Sequence, residues 1–207
     1  MSGATTVGPA GRRLARSFFA RDARVVAPEL LNKVLVHGER SARIVEVEAY
    51  AGGEDPASHA HRGPTRRNEV MFGPPGHLYV YFTYGMHWCA NAVCSDTGTA
   101  TAVLLRAGAP LLGLDAMRVD RPAARRDRDL ANGPAKLCQA LGIDGALNGI
   151  DLIHRGSGVA IVDDGTAPPS RPGVSARIGI SVAVDEPWRW YVPEDPNVSR
   201  ARPAGRS

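Results

Sequence analysis

Residues 33–50 read KVLVHGERSARIVEVEAY, and this stretch decides the fold class. Aliphatic and β-branched residues fill both halves of it, and Gly38 and Glu39 stand between them. Two such runs separated by a short turn that contains glycine are typical of antiparallel strands joined as a hairpin. We therefore predict a first β-hairpin made of the strands Lys33–His37 and Ala42–Tyr50.

A second hairpin is predicted in residues 78–94, which read LYVYFTYGMHWCANAVC. Gly85 provides the turn between the strands Leu78–Thr83 and His87–Cys94. Further strands are predicted from runs of β-branched and aliphatic residues at Thr101–Arg106, Val159–Val162, Arg177–Val182 and Trp188–Val192.

Helical signals are fewer and shorter. We predict helices over Leu14–Phe19, from Pro28 to Asn32, over Leu112–Val119 and over Pro134–Leu141, the last one ended by Gly142. Strands joined by hairpins, with short helices segregated around them, indicate an α+β fold rather than a doubly wound one. The prediction is a single domain on a curved, mainly antiparallel β-sheet.

The chain has 207 residues, a length typical of one domain, which we place at residues 11–194. Residues 1–10 are small and polar, and we expect them to be disordered. Residues 195–207 are rich in Pro, Arg and Ser, and we expect them to form a flexible C-terminal tail. The polar stretch 52–76 has little periodicity, and loops of that length are usually functional or disordered.

Composition excludes several classes of protein. Hydrophobic residues make up 43% of the chain and charged residues 22%, unlike a disordered chain, and no apolar run approaches the roughly 20 residues that span a bilayer. The net charge of +4 permits a polyanionic partner without requiring one. Three cysteines and the lack of a signal-peptide pattern lead us to expect a cytoplasmic protein, and we expect a monomer.

Two carboxylates on the strand 42–50 are candidates for chemistry. Because side chains alternate along a strand, two faces are predicted: Ile44, Glu46, Glu48 and Tyr50 on one, and Val45, Val47 and Ala49 on the other. A carboxylate beside an aromatic residue, where a strand enters a loop, suits a general base, and the alternative is a solvated strand face. Periodicity does not choose between Glu46 and Glu48.

Aromatic residues concentrate on the second hairpin, and Tyr84 lies at its tip. Core packing explains Val80 and Phe82, but a large aromatic residue beside a turn glycine is typical of an exposed side chain that stacks on bases or wedges between them. The preceding loop carries three arginines that suit phosphate contacts, although charged loops are more often merely solvated: Arg62, Arg66 and Arg67.

Metal and nucleotide motifs are incomplete. His37, Gly38 and Glu39 match the first half of the zinc deaminase signature, but its Pro-Cys-x-x-Cys half is missing, so we reject a deaminase. His59 and His61 could bracket a metal, yet no third ligand stands at a recognisable spacing. No phosphate-binding loop, dinucleotide fingerprint or nucleophile elbow is present, and we expect chemistry without a metal or cofactor.

Several blocks, in order along roughly residues 14–192, resemble the alkyladenine (3-methyladenine) DNA glycosylases. A series of ordered blocks is far more specific than a single motif. The blocks are Arg43–Tyr50, Asp55–His59, Tyr79–Tyr81, Tyr84–Met86, Asn91, Leu104–Arg106, Asn132–Leu141 and Arg177–Gly179. The resemblance implies base excision repair: alkylated or deaminated purines, such as 3-methyladenine, 7-methylguanine and hypoxanthine, are flipped out of double-stranded DNA and removed by hydrolysis of the N-glycosidic bond.

The resemblance also implies roles for single residues. Glu48 becomes the general base that activates water, and Arg106 and the backbone carbonyl of Ile178 help to hold that water. The extruded purine would lie among Tyr50, His59 and Tyr81, with Asn91 placed to clash with the exocyclic amine of normal guanine. At the DNA surface, the implied contacts are Tyr84 as the wedge, Met86 in the minor groove, and Arg62, Arg66, Arg67 and Lys136 on phosphates.

No lysine lies in the blocks that carry Glu48 or Tyr84, which favours a monofunctional hydrolase over one that forms a Schiff base.

Three alternatives to this DNA glycosylase remain open. A non-catalytic binder of damaged DNA is disfavoured by the retention of Glu48 with Arg106. A hydrolase of free nucleosides would need neither Tyr84 nor the arginine loop, and an RNA-binding module lacks any recognisable signature.

Overall fold

The computed structural model describes residues 11–83 and 85–200. Within them, one sheet has the strand order β1-β7-β2-β3-β6-β5-β4, and β8 and β9 extend it beside β3. All of these pairings are antiparallel, and the sheet curls into a half-barrel with four short helices, which confirms the predicted fold. The elements are β1 Arg12–Arg13, α1 Arg16–Phe19, α2 Ala23–Leu30, β2 Val34–His37, β3 Arg40–Tyr50, β4 Leu78–Thr83, β5 His87–Cys94, β6 Thr101–Leu112, α3 Leu114–Asp120, α4 Pro134–Leu141, β7 Val159–Asp163, β8 Gly173–Ser175 and β9 Arg189–Tyr191.

Both predicted hairpins are confirmed. His37 pairs with Arg40, so Gly38 and Glu39 form a two-residue turn, and the left-handed backbone of Gly38 at φ +56° is the conformation that such a turn requires. β4 and β5 pair from Leu78 opposite Ala92 to Thr83 opposite His87.

The predicted faces of β3 are wrong at Ile44. Irregular pairing with β6 lies between Ile44 and Glu46 and again between Glu46 and Val47. An extra residue in one strand of a pair reverses the alternation that follows it. Ile44 therefore packs in the main core together with Val47, and Glu46 and Glu48 lie on the opposite face from Ile44.

The two faces of the sheet are covered differently. The four helices pack on one face, where the main core includes Leu30 of α2 and Leu137 of α4. The other face carries a smaller cluster in which Tyr79 of β4 packs with Ala60 and Met71 from the long loop 51–76. The predicted polar loop is thus the cover of the second face, and the space between loop and sheet is available for a ligand.

α4 confirms the predicted helix Pro134–Leu141 and its end at Gly142, while the other three helices differ from the prediction at their boundaries. α2 begins at Ala23, before Pro28, because the carboxylate of Asp22 accepts the N–H of Arg24 at 2.7 Å and caps the helix there. β6 continues past Arg106 to Leu112 because its second half pairs with the beginning of β3. α3 consequently starts at Leu114, after Gly113 at φ +75°.

The predicted strand Arg177–Val182 is wrong. This segment forms turns, and the strand in this part of the chain is β8, Gly173–Ser175. Gly179 has a left-handed backbone at φ +77°, which breaks an extended path, and the N–H of Ile178 donates to a side chain of β3 instead of to a neighbouring strand.

Residues 195–200, which the sequence places in the tail, are packed on the sheet, and Asn197 and Ser199 are buried. The N–H of Ser199 donates to Glu46 Oε2 at 2.6 Å. The expected disorder of residues 1–10 and the rest of the expected tail, residues 201–207, fall outside the described residues. In the described part of the chain, every helix is too short or too polar to cross a membrane.

Candidate active site

A cavity of about 500 Å³ lies on the sheet face that the long loop covers. Its walls come from β4, β5 and β6, from the loop after β3, and from the turns at 178–182. The lining includes Tyr50, Ser58, His59, Tyr79, Tyr81, Cys89, Asn91, Leu104, Arg106 and Ile178. This volume, with aromatic walls and a few polar groups, is typical of a site for a small organic group.

Glu48 has no exposed surface, and three groups that line the cavity contact its carboxylate. The N–H of Ile178 donates to Oε1 at 2.7 Å, and the Arg106 guanidinium forms an ion pair with Oε1 at 3.1 Å. The hydroxyl of Tyr50 donates to Oε2 at 3.0 Å. The cavity end of β3 thus holds a carboxylate one contact away from the lining.

Burial raises the pKa of Glu48, and this effect outweighs the attraction of Arg106 and the two hydrogen bonds from Ile178 and Tyr50, all of which lower it. A buried carboxylate loses the water that stabilises its charge, and one guanidinium does not replace it. The raised pKa makes the ionised form of Glu48 a stronger base than an ordinary glutamate.

Glu46 is buried two residues away in a more strongly charged setting. Its Oε1 accepts from the Nε atoms of Arg106 and Arg189, each at 2.8 Å, and from the hydroxyl of Ser199 at 2.9 Å. Burial raises the pKa of Glu46, but the two guanidinium groups and the Ser199 N–H lower it further, and the net pKa is below the ordinary value. Glu46 therefore remains ionised and fully occupied by its partners.

Two aromatic rings of the predicted pocket, those of His59 and Tyr81, are brought together, and the ring of Tyr79 joins them. The rings of His59 and Tyr81 meet edge to face with centroids 4.6 Å apart, and Tyr79 stacks on Tyr81 at 5.5 Å. The Tyr79 hydroxyl lies 3.1 Å from His59 Nδ1. Burial and the charge of Arg67 lower the pKa of His59, so its ring is neutral at pH 7.

Asn91 lies in the cavity wall as well. It is buried, and its amide donates to the backbone oxygen of Tyr79 at 3.2 Å, which fixes the side chain across β4 and β5. The structure therefore places Tyr50, His59, Tyr81 and Asn91 around one cavity. Ile178 also lines the cavity, where its N–H contacts Glu48, and the role that the resemblance implies for its carbonyl stays a prediction.

Thr83, the last residue of β4, lines the cavity, so this hairpin reaches the edge of the site. Tyr84 falls outside the described residues, so its predicted place at the tip stays a prediction. Met86 is 68% exposed, which suits a surface contact. The core interpretation holds for buried Val80 but is wrong for Phe82, which is 44% exposed and packs on Trp88.

The predicted phosphate contacts are dispersed. Arg62 and Arg66 are exposed on the loop, while Arg67 donates to the backbone oxygen of Phe82 at 3.0 Å. Lys136 stands apart on α4, where its amine donates to Asn132 at 2.8 Å and lines a second cavity of about 580 Å³. Arg62, Arg66 and Arg67 are not among the described residues that line this second cavity.

The two histidines that could bracket a metal have other partners. His59 contacts Tyr79, and His61 Nδ1 lies 2.9 Å from the backbone oxygen of Gly53. Across residues 11–83 and 85–200, the structure contains no group of three His, Cys, Asp or Glu side chains arranged to hold a metal ion.

Sequence reasoning gave no role to Asp55, Arg177, Arg189 or Ser199. Asp55 and Arg177 form a fully buried ion pair between the two loops that flank the cavity. Arg189 and Ser199 complete the partners of Glu46. Asp55 and Arg177 lie in blocks that resemble the family. Each of the four residues contacts a partner that is at least 122 residues away in the chain, and no local sequence pattern indicates such a contact.

Comparisons with known proteins point to one family over nearly the whole chain. The family described as Methylpurine-DNA glycosylase (MPG) matches residues 17–196. A relative from Burkholderia lata is 60% identical over 190 residues, which cover 91% of this chain and 92% of the relative. Relatives from Streptomyces avermitilis and Carboxydothermus hydrogenoformans are 49% and 47% identical, over 91% and 90% of this chain and 92% and 98% of their own lengths. Each of the three carries the name "Putative 3-methyladenine DNA glycosylase".

Proposed function

The chain belongs to the methylpurine-DNA glycosylase family, and on this premise we propose that Glu48 activates the water that releases a damaged purine from DNA. Membership makes the protein a DNA-repair hydrolase that acts on damaged DNA. The observation that carries the finer proposal is Glu48 itself, a fully buried carboxylate with a raised pKa. Its three contacts come from residues that line the aromatic cavity: Tyr50, Arg106 and Ile178. The substrates we propose are 3-methyladenine, 7-methylguanine and hypoxanthine.

The proposed reaction is a hydrolysis at the sugar carbon C1′. The bond between C1′ and purine N9 breaks, the purine takes the electron pair, and positive charge develops on the sugar. A water oxygen forms the new bond to C1′ while Glu48 accepts a proton from that water. A 3-methyladenine or 7-methylguanine that carries a positive charge leaves as the neutral purine, whereas hypoxanthine leaves as an anion that takes a proton from solvent water. The other product is an abasic site, and the negative charge of Glu48 stabilises the developing sugar cation.

Arg106 is proposed to hold Glu48 in place. Its guanidinium contacts Glu46 through Nε at 2.8 Å and Glu48 through Nη1 at 3.1 Å, and it lines the cavity. A planar guanidinium that is fixed at one end by a structural carboxylate presents its other end in a constant position. We place the attacking water beside Glu48, Arg106 and Ile178, as the resemblance implies.

The aromatic cavity supports a purine ligand. Tyr50, His59 and Tyr81 present ring faces and edges to the same space, and neutral His59 adds no positive charge to it. Electron-rich rings attract cationic partners, so the cavity favours a positively charged purine such as 3-methyladenine or 7-methylguanine. Asn91 is proposed to exclude normal guanine by a clash with its exocyclic amine.

The target nucleotide must leave the stacked duplex to reach this cavity, at a cost of a few kcal/mol. We propose that Tyr84 fills the vacated space and that Met86 contacts the minor groove beside it. Phosphate contacts are assigned to Arg62, Arg66 and Arg67 on the loop and to Lys136 on α4. A base that is extruded from a duplex distinguishes this function from hydrolysis of free nucleosides, which needs no surface contacts with DNA.

Strand cleavage is not part of the proposal. A glycosylase that also cleaves the strand uses an amine to form a Schiff base with the sugar. Lys33 pairs with Asp163 at 3.0 Å on the far part of the sheet, and Lys136 lines the second cavity instead of the aromatic one. These positions support a monofunctional hydrolase.

The test is to incubate the protein with a duplex that carries hypoxanthine or 7-methylguanine and to reveal abasic sites with alkali. We expect strand breaks only after alkali, loss of release in Glu48→Gln, and full release in the matched control Glu39→Gln, which changes an exposed glutamate. Release by Glu48→Gln at the parental rate would remove Glu48 from its role. Binding of lesion duplex by the parent without any release would favour the non-catalytic binder.

A further inference from the structure

Asp55 and Arg177 form an ion pair whose side chains are both fully buried. Arg177 donates through Nη1 to Asp55 Oδ2 at 2.5 Å and through Nη2 to Oδ1 at 2.9 Å. The carboxylate also accepts the backbone N–H groups of Ala51 and Ala57 at 3.2 and 3.0 Å. The pair therefore ties the loop after β3 to the turns at 177–182, and both of these segments form walls of the aromatic cavity.

The guanidinium of Arg177 is fixed in two further ways. Its carbon lies 4.7 Å from the ring centre of Tyr50 and 5.0 Å from that of Trp188. Nη1 also donates to the backbone oxygen of Ala49 at 3.0 Å, at the end of β3. A planar cation that contacts two rings and forms a bidentate ion pair has little freedom to move.

Arg177 is next to, or in contact with, two of the three residues that contact Glu48. Ile178, which donates its N–H to Glu48 Oε1, is the next residue after Arg177. Tyr50, whose hydroxyl donates to Oε2, is one of the rings that contact Arg177. Displacement of the guanidinium would therefore move both donors, whereas the third contact, from Arg106, is held separately by Glu46.

Stability alone is a weak reason for such a pair. The cost of removing two charges from water commonly equals or exceeds their attraction, and apolar residues of similar volume often replace a buried pair without loss. Arg177 Nε is, in addition, a buried donor without a hydrogen-bond partner among the described residues, which is unfavourable. What the pair does provide is a fixed position for the two donors on Glu48.

We propose that Asp55 and Arg177 are positioning residues that hold the Ile178 N–H and the Tyr50 hydroxyl on the carboxylate of Glu48. This inference rests on the proposed role of Glu48 as the base. Both donors lower the pKa of Glu48. If these two hydrogen bonds to Glu48 weaken, they oppose the effect of burial less, and the pKa of Glu48 rises. The carboxylate then becomes protonated, and inactive as a base, at a higher pH.

The test uses Arg177→Lys in the full chain, because lysine keeps the charge but lacks the planar fork and the stacking. The measurement is the single-turnover rate of 7-methylguanine release against pH at saturating protein. The acid limb of the profile is the range in which the rate falls as the pH is lowered and the base becomes protonated. We expect this limb to move upward by about one pH unit, as the loss of a hydrogen bond to a charged group implies. Equal loss of rate at every pH, or no change in the profile, would overturn the proposal.

Two further variants keep the test decisive. Asp163→Asn breaks a different ion pair, that with buried Lys33, and should lower the melting temperature without moving the limb. If Arg177→Lys does not fold, Trp188→Leu removes one stacked ring and leaves the pair, and a smaller upward shift is expected; an unmoved limb contradicts the proposal. Retained release by Glu48→Gln defeats the proposed function instead, so the two failures are distinguishable.

Discussion

Glu46 and Glu48 lie two residues apart on one strand, are both without exposed surface, and share Arg106, yet their pKa values move in opposite directions. Around Glu46 the protein places a second guanidinium, from Arg189, and both donors of Ser199. Around Glu48 it places one guanidinium, two hydrogen bonds and a cavity. Burial with two cations keeps a carboxylate ionised, while burial with one leaves it a stronger base.

The largest expected effect comes from Glu46→Gln. Without this carboxylate, Arg106 loses one of its two partners and Arg189 loses its ion pair, and breaking a buried pair typically costs about 3–5 kcal/mol of unfolding free energy. Glu48→Gln should cost little or should stabilise, because a carboxyl whose pKa is raised in the folded state is less stable when ionised. Urea unfolding of the two variants measures both effects. Equal losses of unfolding free energy in the two variants would contradict the proposed difference between the two carboxylates.

The same pair of variants predicts a pH dependence. The lowered pKa of Glu46 contributes stability that is present above the pKa of an unfolded glutamate and is lost as the pH falls through the lowered value. The deficit of Glu46→Gln relative to the parent should therefore shrink at acid pH. A deficit that is constant from pH 7 down to acid unfolding would show that the charge of Glu46 is not its source.

A second, smaller effect is expected at the cavity. Tyr50→Phe removes the hydroxyl that donates to Glu48 Oε2 at 3.0 Å and keeps the ring. The ionised form of Glu48 loses one stabilising contact, so the acid limb of base release should rise by about one pH unit, or roughly 1.4 kcal/mol. Single-turnover rates over a pH series check this shift. A limb that moves downward would contradict the sign.

The smallest effect on base release is expected from Ser199→Ala, the counterpart on the Glu46 side. It removes a hydroxyl 2.9 Å from Glu46 Oε1 but leaves the backbone N–H in place. The loss of one hydrogen bond to a charged group should lower the unfolding free energy by about 1.5–3 kcal/mol. The pH profile of base release should be unchanged, and a shift like that of Tyr50→Phe would mean that the two sites are not separate.

The hairpins were predictable because their signals are local: alternating strands on either side of a glycine define both pairs. The irregular pairing of β3 with β6 was not predictable in this way, since it depends on a strand that begins 51 residues after β3 ends. That irregularity is what places Ile44 on the opposite face from the two glutamates. Strand propensity also failed at 177–182, where Gly179 and a hydrogen bond to Glu48 determine the path.

The candidate site was only partly visible in the sequence. Spacing alone marked two carboxylates and left them equivalent, and a resemblance was needed to choose Glu48. Their difference depends on Arg189 and Ser199, which lie 143 and 153 residues beyond Glu46. The cavity residues Tyr50, His59, Tyr81 and Asn91 followed from the resemblance, whereas the Asp55–Arg177 pair needed coordinates because each partner is unremarkable in its own segment.

The most direct test of the central claim is the pH dependence of 7-methylguanine release from a duplex under single-turnover conditions. This purine already carries a positive charge and needs no proton to leave, so the acid limb reports the base alone. We predict that the rate falls through a pKa above the ordinary glutamate value of 4.5 and that Glu48→Gln has no such limb. A parental rate that stays level through that range, or a limb that persists in Glu48→Gln, would contradict the account.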